Sequence, residues 1–242
     1  MALKVYVDFD GTITRHDVGN VMFRTFGGLV CDTLVARYRE GEIGARECFL
    51  GEAAAMGRFR VQELNAFLDS QEIDSSFAGL VDFCGSAGIE LRILSDGLSY
   101  YVERILARHG LAAVPFFANT LTLMDWNDDG TARAEIAFPH GDAECARCAC
   151  CKRNIMLASA GDDDVLCLVG EGFSDQCPAR YADIVFAKDS LQTYCQRENI
   201  SYYPYATFDD VTARVRLLMS RARLRPRRRA AEQRRAAFAR ES

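Results

Sequence analysis

The sequence predicts an α/β fold: a doubly wound, mostly parallel sheet with a helical insertion after its first strand. Three observations predict it. Short apolar, β-prone runs recur at 3–7, 91–94, 165–169 and 184–187, each the length of a buried strand. Segments of helical spacing separate them, the alternation that builds parallel sheets. The runs end in acids, a hydroxyl and glycines, and open parallel sheets bind their ligands beyond the carboxyl ends of their strands.

The first run, Leu3-Lys4-Val5-Tyr6-Val7, leads into Asp8-Phe9-Asp10-Gly11-Thr12. Residues i and i+2 of a strand point the same way, so Asp8 and Asp10 converge just past its end. Two buried carboxylates side by side repel unless a cation offsets them, which predicts a hard metal. Mg²⁺ is the first candidate, because it takes carboxylate oxygens and keeps water and phosphate in its other positions. Gly11 lets the chain turn away, and Thr12 offers a hydroxyl and an N–H to a phosphate oxygen. Taken alone, the pentapeptide also fits a plain Asp-Gly turn.

Residues 15–75 carry helical spacing and no strong strand, as in Val18, Val21, Met22, Thr25 and Phe26, then Leu64, Phe67 and Leu68. His16, Asp17 and Asn20 open this stretch near Asp8, and Asp17 reads either as a helix N-cap or as a substrate contact. A helix over 77–87 leads to the second strand, which ends in Ser95-Asp96-Gly97. Ser95 fits two roles, the N-cap of a helix over 100–109 and a ligand for a phosphoryl oxygen. Residues 119–138 read as a hairpin turning at Asn127-Asp128-Asp129-Gly130, an ornament beside the sheet. Lys152 opens a helical run over 153–160 and by itself reads as a solvated charge. The run 165–169 is followed by Gly170-Glu171-Gly172-Phe173-Ser174-Asp175, an acidic, glycine-framed loop. A strand at 184–187, a helix at 191–197 and a closing helix at 208–219 complete the pattern.

Taken in order, Asp-x-Asp-Gly-Thr, Ser, Lys and Gly-[acid]-x-x-x-Asp resemble the haloacid dehalogenase-like phosphohydrolase superfamily over residues 4 to about 218. The resemblance implies a Rossmann-like core from residues 1–14 and 76–220, with 15–75 as a helical cap that closes over the site. It implies Asp8 as nucleophile and Asp10 as general acid/base. Ser95 and Lys152 would hold the phosphoryl group, with Thr12, Asp96 and Gly97 beside them. Asp8, Asp10, Glu171 and Asp175 would form the Mg²⁺ shell. Dehalogenases lack the second acid, and P-type pumps carry threonine there together with membrane spans. The stretches HGDAECARCACCK and VGEGFSDQCPARYADIVFAKDSLQTYC look more narrowly like the methionine-salvage hydroxy-keto-methylthiopentenyl phosphate phosphatases. Phosphoserine and phosphoethanolamine/phosphocholine phosphatases come second, so the implied partner is a small phosphorylated metabolite. One departure stands out: Gly170-Glu171 takes the place of the usual Gly-Asp. The rivals are a phosphomutase and a pseudo-enzyme that senses a phosphorylated metabolite.

Composition agrees. With 242 residues, 49% of them hydrophobic, the chain can bury one substantial core and a small cap. No apolar run approaches the ~18 residues of a membrane span, and the start lacks a basic-then-apolar leader, so a soluble, cytoplasmic protein is expected. Ten cysteines in so long a chain do not read as a secreted scaffold. Cys31, Cys48, Cys84 and Cys167 fall in apolar segments and read as buried thiols. Cys145, Cys148, Cys150 and Cys151 admit three readings: metal binding, redox sensitivity, or a packed loop that fixes Lys152. Residues 221–242 hold nine arginines against two glutamates on a chain of net charge −5. This tail reads as a flexible or helical solvated end, with nucleic-acid contact as the functional alternative.

Overall fold

The computed structural model describes residues 2–161, 163–220 and 224–241. Strand β1 (Leu3–Val7) is followed by α1 (Val18–Gly27), α2 (Val30–Glu40), α3 (Ala45–Met56), a short β2 (Arg58–Arg60) and α4 (Val61–Asp69). Then come α5 (Phe77–Ser86), β3 (Glu90–Leu98), α6 (Ser99–Arg108), β4 (Phe116–Met124), β5 (Thr131–Ala137) and α7 (Lys152–Ala158). The chain ends with β6 (Val165–Gly170), α8 (Gln176–Tyr181), β7 (Ile184–Ala187), α9 (Asp189–Arg197), β8 (Tyr203–Pro204), α10 (Phe208–Met219) and α11 (Arg228–Glu241). Eight strands form one sheet in the order β2-β5-β4-β3-β1-β6-β7-β8. The six from β4 to β8 run parallel, and the β4–β5 and β5–β2 pairs are antiparallel.

Strand β1 is central, with Val7 opposite Ile93 of β3 and Val169 of β6. Its alternation divides the core. Val5 and Val7 pack with Phe77 and Leu80 of α5, Val102 of α6 and Val211 of α10, whereas Tyr6 packs with Met156 of α7, Ala179 of α8 and Leu191 of α9. Both sheet faces are therefore covered, as parallel sheets require. From β1 the chain leads to β3 on one side, and β6 later joins on the other, which makes the carboxyl end of β1 the topological switch point.

Three expectations change. The 119–138 hairpin is part of the sheet, because the start of β4 pairs in parallel with β3 before its end turns back on β5. The stretch expected to lack a strong strand contributes β2, which covers the otherwise open edge of β5. Strand β3 continues past Ser95 to Leu98 through a register shift, and Leu98, not Ser95, is the N-cap of α6.

The arginine-rich end packs onto α8. Arg234 is 8% exposed, donates to the Tyr181 carbonyl at 2.6 Å and pairs with Asp183 at 3.0 Å. Arg227 donates to the Ala179 and Arg180 carbonyls. Cations near a helix carboxyl end satisfy its last carbonyls and complement its dipole. Arg221 and Arg223 lie outside the described residues. Arg234→Ala should lower the unfolding free energy by about 1–3 kcal/mol, since it strips partners from buried acceptors. Urea denaturation checks this, and an unchanged midpoint would reduce the contact to a surface one. No described helix is long and apolar enough to cross a membrane.

Candidate active site

The carboxyl ends of β3, β1 and β6 bring the expected residues together. Asp8 is 4% exposed and Lys152 1%, and their Oδ1 and Nζ atoms lie 2.6 Å apart. The same Nζ lies 2.7 Å from Oδ1 of Asp175, which is fully buried. One ammonium thus sits between two carboxylates contributed from opposite ends of the chain. Burial, with the Asp175 charge, holds the Asp8 carboxyl well above the ordinary range despite the pull of Lys152. Burial works against the charge on Lys152, but Asp175 and Asp8 keep its pKa above the usual lysine value. Thr12 donates its hydroxyl to Asp8 Oδ2 at 3.2 Å.

Asp10 is clamped from all sides. Its Oδ1 accepts the N–H groups of Val18 at 3.0 Å and Gly19 at 3.4 Å, at the start of α1. Its Oδ2 accepts the hydroxyls of Tyr101 at 2.7 Å and Ser95 at 3.3 Å. Burial and then Asp17 push its pKa up to about 7. Asp17 is the N-cap of α1, accepting from Asn20 N–H at 2.8 Å. It also borders the cavity that opens over Asp10. His16 is exposed and contributes its carbonyl, which accepts from Gly11 N–H.

Lys152 owes its position to the cysteine loop. The Asp96 carboxylate accepts the Ala149 and Cys150 N–H groups at 2.9 and 2.7 Å, and the Cys151 N–H donates to the His140 carbonyl. Asp96, expected beside a phosphate, lines the cavity that Asp8 faces, and its Oδ1 ties this loop to β3, two residues before α7 begins with Lys152. Ser95 accepts from Gly97 N–H at 2.9 Å. Asp175 is among the residues expected in the metal shell. Its Oδ2 accepts the Glu171 and Gly172 N–H groups, and Lys152 takes Oδ1, so it braces the loop.

A profile of the family described as Putative Phosphatase matches residues 3–201. The chain belongs to this putative phosphatase family. It is 28% identical over 218 residues to a 2-hydroxy-3-keto-5-methylthiopentenyl-1-phosphate phosphatase of Exiguobacterium sibiricum, covering 87% of this chain and 95% of that one. The like-named protein of Brevibacillus brevis is 28% identical over 213 residues, covering 86% and 93%. Among solved structures, a phospho-aspartyl intermediate analogue of phosphoserine phosphatase superposes with a TM-score of 0.66 at 15% identity, covering 88% of this chain and 98% of that one. A phosphoserine phosphohydrolase-like protein of Francisella tularensis gives 0.62 at 18%, covering 89% and 100%. The fold is that of haloacid dehalogenase-like hydrolases.

In this phosphatase the site opens into a cavity of about 550 Å³ whose walls include Asp8, Asp10 and Glu171 as well as Phe23, Val35 and Phe49. The Glu171 carboxylate lies over Gly11, its Oε1 3.2 Å from where a Cβ on that glycine would stand. Gly11 has φ +69, so its lack of a side chain serves both the turn and the longer acid. Burial, then Asp175, pushes Glu171 up to about 7. Asp8, Asp10 and Glu171 thus face one cavity together with Asp17, Glu52 and Asp96, and Lys152 is the cation that touches Asp8. That charge excess fits a hard divalent ion. Among the described residues no group of three His, Cys, Asp or Glu side chains is arranged to hold a metal ion by itself.

Two cavity residues have no motif behind them. Tyr101 is 1% exposed with its hydroxyl on Asp10, and a buried tyrosine has to place that hydroxyl somewhere. Glu52 of α3 is 4% exposed, and its partner is the Cys48 thiol at 3.8 Å. Burial, then Asp17, pushes it up to about 8. Helical spacing alone could put both on inward faces without saying what they meet there.

Proposed function

We propose that the chain hydrolyses a small phosphate monoester in two steps through a phosphoryl group carried on Asp8. The observation that carries this reading is the Asp8 carboxylate held at 2.6 Å by buried Lys152, at the mouth of a cavity on the switch point. In the first step Asp8 forms a bond to phosphorus as the bond to the leaving oxygen breaks, and Asp10 gives that oxygen a proton. In the second, Asp10 takes a proton from the attacking water, phosphate leaves and Asp8 is restored. Lys152 offsets charge on the transferring group, while the Ser95 hydroxyl and the Thr12 hydroxyl border it. Asp8 and Glu171 are the residues that would hold Mg²⁺. The ion would neutralise charge spread over the phosphoryl oxygens.

For the substrate, the methionine-salvage enol phosphate is favoured, because Phe23, Val35 and Phe49 are among the cavity-lining residues and offer apolar surface to a thioether tail. The helices α1 to α3 that supply this surface act as the cap, excluding water while the acyl phosphate forms. All ten cysteines are free thiols, which supports a cytoplasmic setting.

The test is a panel of the enol phosphate, phosphoserine and phosphoethanolamine, read as Mg²⁺-dependent phosphate release. The highest kcat/KM should fall on the enol phosphate. A tenfold preference for either amino alcohol ester would move the assignment to that class. In the same assay Glu171→Gln should raise the Mg²⁺ concentration for half-maximal rate about tenfold or more, because a neutral amide is a weak partner for a hard cation. An unchanged titration would remove Glu171 from the metal site.

A further inference from the structure

We infer that Tyr101 is a positioning residue that fixes the Asp10 carboxyl for proton transfer to the leaving oxygen. The inference rests on the proposed acid/base role of Asp10.

Of the four donors on Asp10, the Tyr101 hydroxyl is the shortest, at 2.7 Å against 3.0, 3.3 and 3.4 Å. The backbone has made room for it. A Cβ on Gly97 would stand 1.6 Å from Tyr101 Oη and 2.6 Å from Asp10 Oδ2, and a Cβ on Gly19 would stand 3.1 Å from the same Oη. The ring is seated independently, against Phe9 at a centroid distance of 6.1 Å and within the core that holds Val102 and Ile105. Phenylalanine would fill that seat equally well, so the hydroxyl is not explained by packing. Its described partner is Asp10.

The geometry assigns a division of labour. Val18 and Gly19 N–H groups hold Oδ1 from the insertion, and Tyr101 with Ser95 holds Oδ2 from the core. Ser95 at 3.3 Å is a loose donor, so Tyr101 is the main restraint on rotation of the carboxyl. Proton transfer is sensitive to such alignment, and misplacement by about 1 Å can cost roughly 10²-fold.

The experiment uses Tyr101→Phe in the full chain, with single-turnover phosphorylation by two substrates. One is the alkyl monoester turned over fastest in the panel above, whose alkoxide needs a proton to leave. The other is p-nitrophenyl phosphate, whose phenolate leaves without one. The alkyl rate should fall about tenfold or more with KM within about threefold, and the p-nitrophenyl rate should stay within about threefold. The ratio of the two rates on one preparation is independent of how much of the variant folds. Tyr101→Phe added to Asp10→Asn should cost nothing further. Equal loss on both substrates, no loss, or a full extra loss in the double variant would overturn the inference. If Asp10→Asn itself slows both substrates equally, the acid role of Asp10 is what has failed.

Discussion

Asp8→Asn should lower kcat for phosphate release by roughly 10⁴-fold or more, the scale on which loss of a catalytic nucleophile is felt. The amide keeps the shape of the carboxylate and leaves Lys152 its 2.7 Å pair with Asp175, so the fold has no reason to collapse. It also relieves the repulsion that raises the Asp8 pKa. The thermal midpoint should therefore stay within a few degrees while turnover and any acid-stable, hydroxylamine-sensitive phosphoryl label on the protein vanish. Substantial Mg²⁺-dependent hydrolysis by the purified variant would remove Asp8 from the role of nucleophile.

Lys152→Met should do the reverse, striking stability as hard as activity. The methionine preserves the stem but leaves Asp8 and Asp175 facing each other without a cation, at side-chain exposures of 6% and 0%. Removing one partner of a buried ionic group costs about 3–5 kcal/mol. The pH dependence has a definite sign. Lys152 holds the Asp8 pKa down against burial and Asp175. Without it the folded Asp8 carboxyl would sit still higher, far above an unfolded value of ~4. A raised carboxylate pKa costs stability once the unfolded chain ionises, so the deficit is absent below about 4 and grows as pH rises from there toward the folded pKa. Chemical denaturation at pH 7 and pH 4 reads this directly, and adding Asp175→Asn should recover part of the deficit at pH 7. A pH-independent loss would mean that packing of the lysine stem, not its charge, is what matters.

Much of this arrangement was legible in the sequence. Asp8, Asp10, Lys152 and Glu171 lie just past strand ends or at a helix start, where local pattern announces them, and the structure brings them near Ser95, which lies inside β3. Asp96, within β3, and Asp175, in the loop after β6, are harder, because a carboxylate beside a glycine looks the same in sequence whether it faces a ligand or accepts backbone N–H groups. Which it does depends on where the 145–151 loop docks, and that is a tertiary fact. Tyr101 and Glu52 were invisible for a related reason: a helix presents one inward face to core and cavity alike. The hairpin was mistaken for an ornament because one strand can pair in parallel at its start and antiparallel at its end, and alternation does not report the partner. The arginine-rich end has the composition of a solvated tail, yet Arg234 holds the last carbonyl of α8 and the Asp183 carboxylate.

The charge cluster also bears on how the protein is made. Lys152 meets Asp8 across 144 residues of chain, and β1 receives its second sheet partner only when Val165–Gly170 exists. During synthesis the first strand leaves the ribosome early, carrying two acids at its tip and one unpaired apolar edge. Contacts this distant in sequence form late and slowly. The nascent chain must therefore shelter its future central strand until most of the polypeptide has emerged. A ribosome stalled anywhere before Lys152 would hold a product whose central strand has an open edge and whose Asp8 has yet to meet its cation.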